Sequence, residues 1–219
     1  MTNVGLRIAF QKGYSQNIQM INRLVLSFAS LVFILNLSTS EAAVSPVGLG
    51  IVPPVQFPPS SYTITGFRVS VLWGASRDLY GIDLGVIGNM TSHTFTGIAL
   101  AGGFNHTNGA TTAIGTQLAG IANWNNNKTS VYGLQFAGIL NMNKASSSVT
   151  GLQFALVNLS RHTTIYGLQA GIYNKAQKVY GFQIGLVNEA TDLRGIQIGL
   201  VNFHHKGLFA VSPIINIGF

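Results

Sequence analysis

With 219 residues, 8% of them charged, and a formal net charge of +7, the chain is long enough for one domain. It is too poor in charge for a disordered polyampholyte or an average soluble surface. Cysteine is absent, which excludes disulfides, thiolate metal sites and lipid attachment through an N-terminal Cys. The basic residues are dispersed, most of them in expected turns, and no aromatic platform is interleaved with them. The positive balance therefore does not mark a nucleic-acid surface.

The N-terminus has the pattern of an export signal. A mostly apolar run, Leu24 to Leu37, follows Arg23 and precedes Ser38-Thr-Ser-Glu-Ala42. Small residues at Ser40 and Ala42 occupy the positions three and one before a cleavage site, so residues 1–42 are expected to be a signal peptide. Met20 is an alternative start. A membrane anchor is the competing reading, but the run is shorter than the ~20 residues a spanning helix needs. Residues 43–61 follow as a lead-in carrying Pro46, Pro53, Pro54, Pro58 and Pro59, expected to be irregular because proline offers no ladder donor.

Residues 62–219 are expected to form a single β-repeat domain. Its strands are expected near 63–74, 79–89, 94–105, 112–123, 130–141, 148–158, 164–174, 178–188, 193–202 and 208–219. The phrase Gly181-Phe-Gln-Ile-Gly-Leu-Val-Asn188 is followed by Gly195-Ile-Gln-Ile-Gly-Leu-Val-Asn202 and preceded by drifting copies that begin at Gly167, Gly151, Gly133, Gly115, Gly97 and Gly81. A faint copy begins at Gly66. Within it Phe182, Ile184 and Leu186 share one face of an extended strand, and Gly181, Gln183 and Gly185 share the other. A helix would scatter the Gln residues and suffer from the glycines.

Two all-β architectures use such a sequence. The expected one is an antiparallel meander closed into a small barrel of about ten strands. The alternative is a parallel β-solenoid with Leu, Ile and Phe inside. Strands of about ten residues suit the height of an outer-membrane apolar band, and a meander absorbs variable repeat lengths in its loops. The barrel places Tyr180 opposite Leu200 or Asn202, whereas the solenoid places it beside Arg194. The terminus Val211-Ser-Pro-Ile-Ile-Asn-Ile-Gly-Phe219 alternates and ends on an aromatic, which resembles the C-terminal strand of bacterial outer-membrane β-proteins. That likeness implies recognition of Phe219 by the outer-membrane assembly machinery.

The repeated Gly-Leu-Gln-x-Gly-Leu-x-Asn, found at 133–141, 151–158, 167–174, 181–188 and 195–202, resembles the leptospiral-type bacterial surface-repeat proteins. The resemblance implies an exported, surface-associated protein and brings no functional residues with it. The copies from Gly81 to Asn141 are longer than the eight-residue form.

Candidate sites are few. His93, His106, His162, His204 and His205 fall in expected turns as solvated residues. Asp83 and Arg68 share the Gly/Gln face, where a buried carboxylate needs a partner, so they are expected to pair structurally. The series Gln117, Gln135, Gln153, Gln169, Gln183 and Gln197 is either a lumen lining or a set of mutually hydrogen-bonded side chains. Tyr80, Tyr132, Tyr166 and Tyr180 precede the phrase and fit aromatic girdles at both membrane interfaces. Asn89, Asn105, Asn127 and Asn158 begin apparent glycosylation sequons that carry no weight in a bacterial protein.

No catalytic, cofactor-binding or metal-ligating residue is assigned, no cofactor is implied, and ligand-binding residues stay unassigned. The expected function is non-enzymatic: a structural or interaction role at the outer membrane or surface of a Gram-negative-type bacterium, with outer-membrane lipid as a partner. A secreted adhesin-like solenoid and a small solute pore are the alternatives. If the signal is cleaved as expected, intact-mass measurement of the exported protein will find Ala43 as its first residue; retention of residues 20–42 would defeat that reading.

Overall fold

The computed structural model describes residues 43–219, so the expected signal segment 1–42 lies outside the described residues. The described chain is all-β, as expected, but its strands run parallel to their repeats. Tyr180 lies beside Arg194, Gly181 beside Gly195, and Gln183 beside Gln197. The fold is a parallel β-solenoid of about ten turns, and the antiparallel barrel is wrong. The physical reason is self-pairing. A hairpin can match Gln183 with Gln197 and Gly181 with Gly199, but only a parallel stack also matches each Asn with its own repeat, as Asn174 with Asn188.

Each turn has four parts. A long strand such as Thr129–Ala137 meets a corner at Gly138-Ile139; the short strand Leu140–Asn143 follows, and a loop leads to the next turn. In the last turns the loop shrinks, and a short strand runs directly into the next long one, as in Val157–Ala170 and Tyr173–Ile184. The strands expected at 130–141 and 178–188 are therefore each a long strand, a corner and part of a short strand. Coil length, read between stacked amides, rises from 16 residues to 18 and then falls through 16 to 14 along the chain.

The facing is the reverse of the one expected for a solenoid. Gln135, Gln153, Gln169 and Gln183 are fully buried, while Phe182 is 47% and Leu186 50% exposed. The outward apolar side chains expected of a barrel wall are retained, but the wall surrounds a packed interior. Val131, Val149, Ile165, Val179 and Leu193 add one apolar column to that interior, with Ala176 and Ala190 among the same buried cluster.

A glycine column fixes how closely the coils stack. Gly181 has φ 134° and Gly195 φ 147°, in the left-handed half of the map. A Cβ on Gly181 would collide with the carbonyl oxygen of Gly167, and one on Gly195 with that of Gly181.

The proline-rich lead-in proves to be the N-terminal cap. Val44–Val52 pairs in parallel with Thr63–Ser70, and Val55–Phe57 turns back antiparallel on it. The prolines are tolerated because this is an edge; the register slips between Ser45 and Val47, around Pro46. At the other end Val211–Gly218 lies antiparallel on Val187–His204, with a slip between Gly199 and Asn202 and Ile214 at φ 65°. The strand expected to close a barrel caps the stack instead, and Phe219 ends it fully exposed.

Because the chain has no cysteine, paired substitutions report pairing directly. Tyr180→Cys with Arg194→Cys should cross-link within one chain using a short reagent, since stacked strands lie ~4.8 Å apart. Tyr180→Cys with Leu200→Cys should stay unlinked, and the opposite pattern would restore the hairpin.

Candidate functional site

Two amide ladders run through the interior. In one, Gln197 Nε2 donates to Gln183 Oε1 (2.7 Å), Gln183 to Gln169 (2.6 Å), Gln169 to Gln153 (2.7 Å), Gln153 to Gln135 (2.6 Å) and Gln135 to Gln117 (2.8 Å). In the other, Asn89, Asn105, Asn123, Asn141, Asn158, Asn174, Asn188 and Asn202 are joined by Nδ2-to-Oδ1 bonds of 2.8–3.0 Å. Each Asn Nδ2 also donates to a carbonyl of the next long strand, as Asn174 does to Ile184 O and Asn188 to Ile198 O, both at 2.9 Å. A carbonyl can only accept, so these bonds fix the direction of the ladder. Asn donors point toward the C-terminus and Gln donors toward the N-terminus. Each ladder consequently leaves one terminal acceptor without a protein partner, Gln197 Oε1 at one end and Asn89 Oδ1 at the other.

The expected Arg68–Asp83 pair is present and occupies the same column toward the N-terminal cap, separated from Gln117 by Ala99. Arg68 Nε donates to Asp83 Oδ1 at 2.8 Å and Arg68 Nη2 to Oδ2 at 2.6 Å; both terminal guanidinium nitrogens also reach Met90 O at 3.3 Å. Burial pushes the Asp83 carboxyl up, and the Arg68 charge and its hydrogen bonds pull against that. All the ionic valences are used within the pair and its carbonyl, which leaves a structural plug rather than a reactive group.

The histidines do not converge. His106 Nε2 pairs with Asn108 at 3.0 Å, and His93 and His162 are exposed. His204 is buried, contrary to expectation: its Nε2 accepts the Leu193 N–H at 3.1 Å, and burial pushes its pKa down, which suits a neutral acceptor. His205 lies 3.1 Å from Glu189, which also accepts from Lys175 and Tyr173, both at 2.7 Å. Burial pushes the Glu189 carboxyl up, but those three hydrogen bonds and the Lys175 charge outweigh it and hold it at about 2. Burial and donation to Glu189 push the Tyr173 hydroxyl up to about 12. Among the described residues no three acidic or His side chains are placed to hold a metal ion.

The sequence hides the Asn ladder. Asn89, Asn105 and Asn158, which begin apparent sequons, are sealed interior residues. Gln183 and Asn188 differ by an odd number, so strand alternation puts them on opposite faces; both turn inward because the corner Gly185-Leu186 intervenes. The available signal was an Asn at the end of every phrase.

With the interior filled by amides, the apolar residues form the outside, graded across the solenoid. At the loop edge stand residues such as Thr164 and Lys178. Next comes the tyrosine column, where the rings of Tyr166 and Tyr180 stack 5.0 Å apart and Arg194 lies 5.6 Å from the Tyr180 ring. The four tyrosines thus mark one flank, not two interfaces. Beyond them lie a column with Leu134, Leu152, Leu168, Phe182 and Ile196, and another with Phe136, Phe154, Ile184 and Ile198.

The corner itself carries Ile121, Ile139, Leu156, Ile172, Leu186 and Leu200, all around half exposed. Past the corner the short strands continue with Leu140, Val157, Tyr173 and Val187. The result is an apolar ridge with apolar flanks, roughly 24 Å from Ile121 to Leu200 at ~4.8 Å per coil. Patches of this size on a protein surface mark contacts with a partner or a membrane.

No protein-family model, curated protein or solved structure matches the chain.

The plug and the ladder make a stability prediction. Asp83→Ala leaves a buried guanidinium unpaired and should cost about 3–5 kcal/mol. Arg68→Gln with Asp83→Gln introduces two amides in the same column and should unfold well above the single variant in thermal melts. A double variant no more stable than Asp83→Ala would count against a stacked amide pair as a substitute for the ion pair at these two positions.

Proposed function

We propose that this chain is an exported bacterial β-repeat protein with a structural or interaction role at the outer membrane or cell surface, and that the apolar ridge is its working part. One observation carries the reading. A continuous ridge of half-exposed Ile and Leu side chains runs along a rod whose interior is filled by two hydrogen-bonded amide ladders and a separate apolar column. Side chains at the corner contribute little to the interior, so their apolar character calls for an explanation outside the fold. The export pattern of residues 24–42 and the likeness to leptospiral-type surface-repeat proteins point to the same address. Recognition of Phe219 by the assembly machinery loses its main motive with the barrel, because the terminal strand has a capping task of its own.

The adhesin-like solenoid remains the second reading, favoured by the long regular flanks available to a partner. A solute pore finds no support, because Gln117 to Gln197 and Asn123 to Asn202 fill the bore.

The test is cellular. Native protein should fractionate with the outer membrane or be cleaved by protease added to intact cells. The triple variant Ile139→Ser, Ile172→Ser, Leu186→Ser should keep its strand content and melting behaviour while moving to the soluble periplasmic fraction or the medium. Native protein found in the cytosol, or a folded triple variant distributed like the native protein, would overturn the proposal.

A further inference from the structure

We infer that the ridge lies in one leaflet of a lipid membrane, with the rod parallel to the surface and the loop edge in water. This rests on the proposed surface role and names the partner of that ridge.

Shape decides between a leaflet and a second copy of the chain. The ridge is convex, and apolar columns fall away on both sides of it: Ile184 on one flank and Val187 on the other, with Leu186 at the crest. A rigid partner with a flat face could cover only one flank, whereas acyl chains close around both. End-to-end stacking of copies is blocked independently. Pro46 interrupts the register of the first capping strand, and Pro213 lies in the last one, next to Ile214 at φ 65°. These are devices that blunt exposed β-edges.

The polarity gradient fits an interface in order and in depth. From Leu186 back to Tyr180 is six residues of chain, at most ~20 Å of strand and less in depth when the wall is inclined. The tyrosine hydroxyls therefore come level with the headgroups when the crest lies among the upper acyl carbons. That is where amphipathic rings partition. The described residues carry nine basic against four acidic side chains, and Arg68 and Asp83 neutralise one another inside. The accessible surface is thus positive and suited to anionic headgroups.

The experiment uses the full exported protein and vesicles of phosphatidylcholine with or without phosphatidylglycerol, separated by flotation. Native protein should float with the vesicles, more strongly with phosphatidylglycerol, and each Ser substitution at Ile139, Ile172 or Leu186 should weaken partitioning roughly tenfold. Single Cys substitutions carrying an environment-sensitive dye then report orientation. Dye at Leu186→Cys should be quenched by lipids labelled on the acyl chain, and dye at Asn126→Cys should not.

Native protein that fails to float, or equal quenching at both positions, overturns the leaflet inference. Native protein that stays off vesicles but sediments as a dimer, with the dimer lost in the Leu186→Ser variant, transfers the ridge to a second copy and also overturns it. Surface retention in cells without vesicle binding would leave the surface role standing and remove the lipid. Vesicle binding by a protein that cells keep in the cytosol would do the reverse.

Discussion

The whole structure depends on one requirement: an amide buried in the interior must satisfy its N–H groups and its carbonyl without water. A single Gln inside a β-protein is a liability of a few kcal/mol if left unpaired. A Gln stacked on another Gln at the spacing of parallel strands is satisfied, because the strand spacing suits a hydrogen bond between consecutive side-chain amides. The bonds of 2.6–2.8 Å along the Gln column show that the side chains have adopted this arrangement. The rule constrains the sequence strongly. From Gln117 to Gln197 each coil presents Gln and Asn at the same two places, which is why the phrase recurs so faithfully there.

The same requirement turns the usual distribution of residues inside out. Amides and glycines fill much of the interior, and its apolar bulk comes chiefly from the column through Val149 and Val179 and, toward the N-terminal cap, from Ile64, Leu79 and Phe95. Stability then comes largely from backbone and side-chain ladders repeated coil upon coil, each coil contacting only its neighbours. Side chains on the outer wall are released from packing duty. An ordinary soluble solenoid would make them polar, and here they are Ile, Leu and Phe.

Much of the architecture was legible in the sequence, but pairing direction and the corner were not. Period two, the repeat, the facing of Gln183 against Phe182 and the Arg68–Asp83 pair all follow from spacing and from the need to pair a buried charge. Pairing direction did not follow, because alternation is identical in parallel and antiparallel sheets. The strongest clue was that Gly, Gln and Asn all recur together; an antiparallel hairpin matches Gln with Gln and Gly with Gly, and only a parallel stack matches Asn with Asn as well. The corner was illegible for a related reason. Gly185-Leu186 continues the alternating pattern of the strand before it, so nothing in the local composition marks the bend that turns Asn188 inward. Pro46 was misleading in the opposite sense, since a residue that forbids a central strand is acceptable in a cap.

The placement of length variation connects the ladder to the ridge. From Gln135 to Asn141 is six residues and from Asn141 to Gln153 twelve; from Gln183 to Asn188 is five and from Asn188 to Gln197 nine. Three of the four residues lost between an 18-residue and a 14-residue coil therefore come from the loop side, and one from the corner side. Stacked amides tolerate little else. The Asn bond to the next long strand, as from Asn141 to Phe154 O at 2.8 Å and from Asn188 to Ile198 O at 2.9 Å, spans the corner and holds its dimensions. Shortening the loops moves the polar edge closer to the axis without displacing the crest. The corner side chains thus stay aligned from Ile121 to Leu200 while the opposite edge steps inward. The ridge is continuous because the Asn ladder beneath it is unbroken, so the interior amides that hold the coils together also produce the continuous apolar surface.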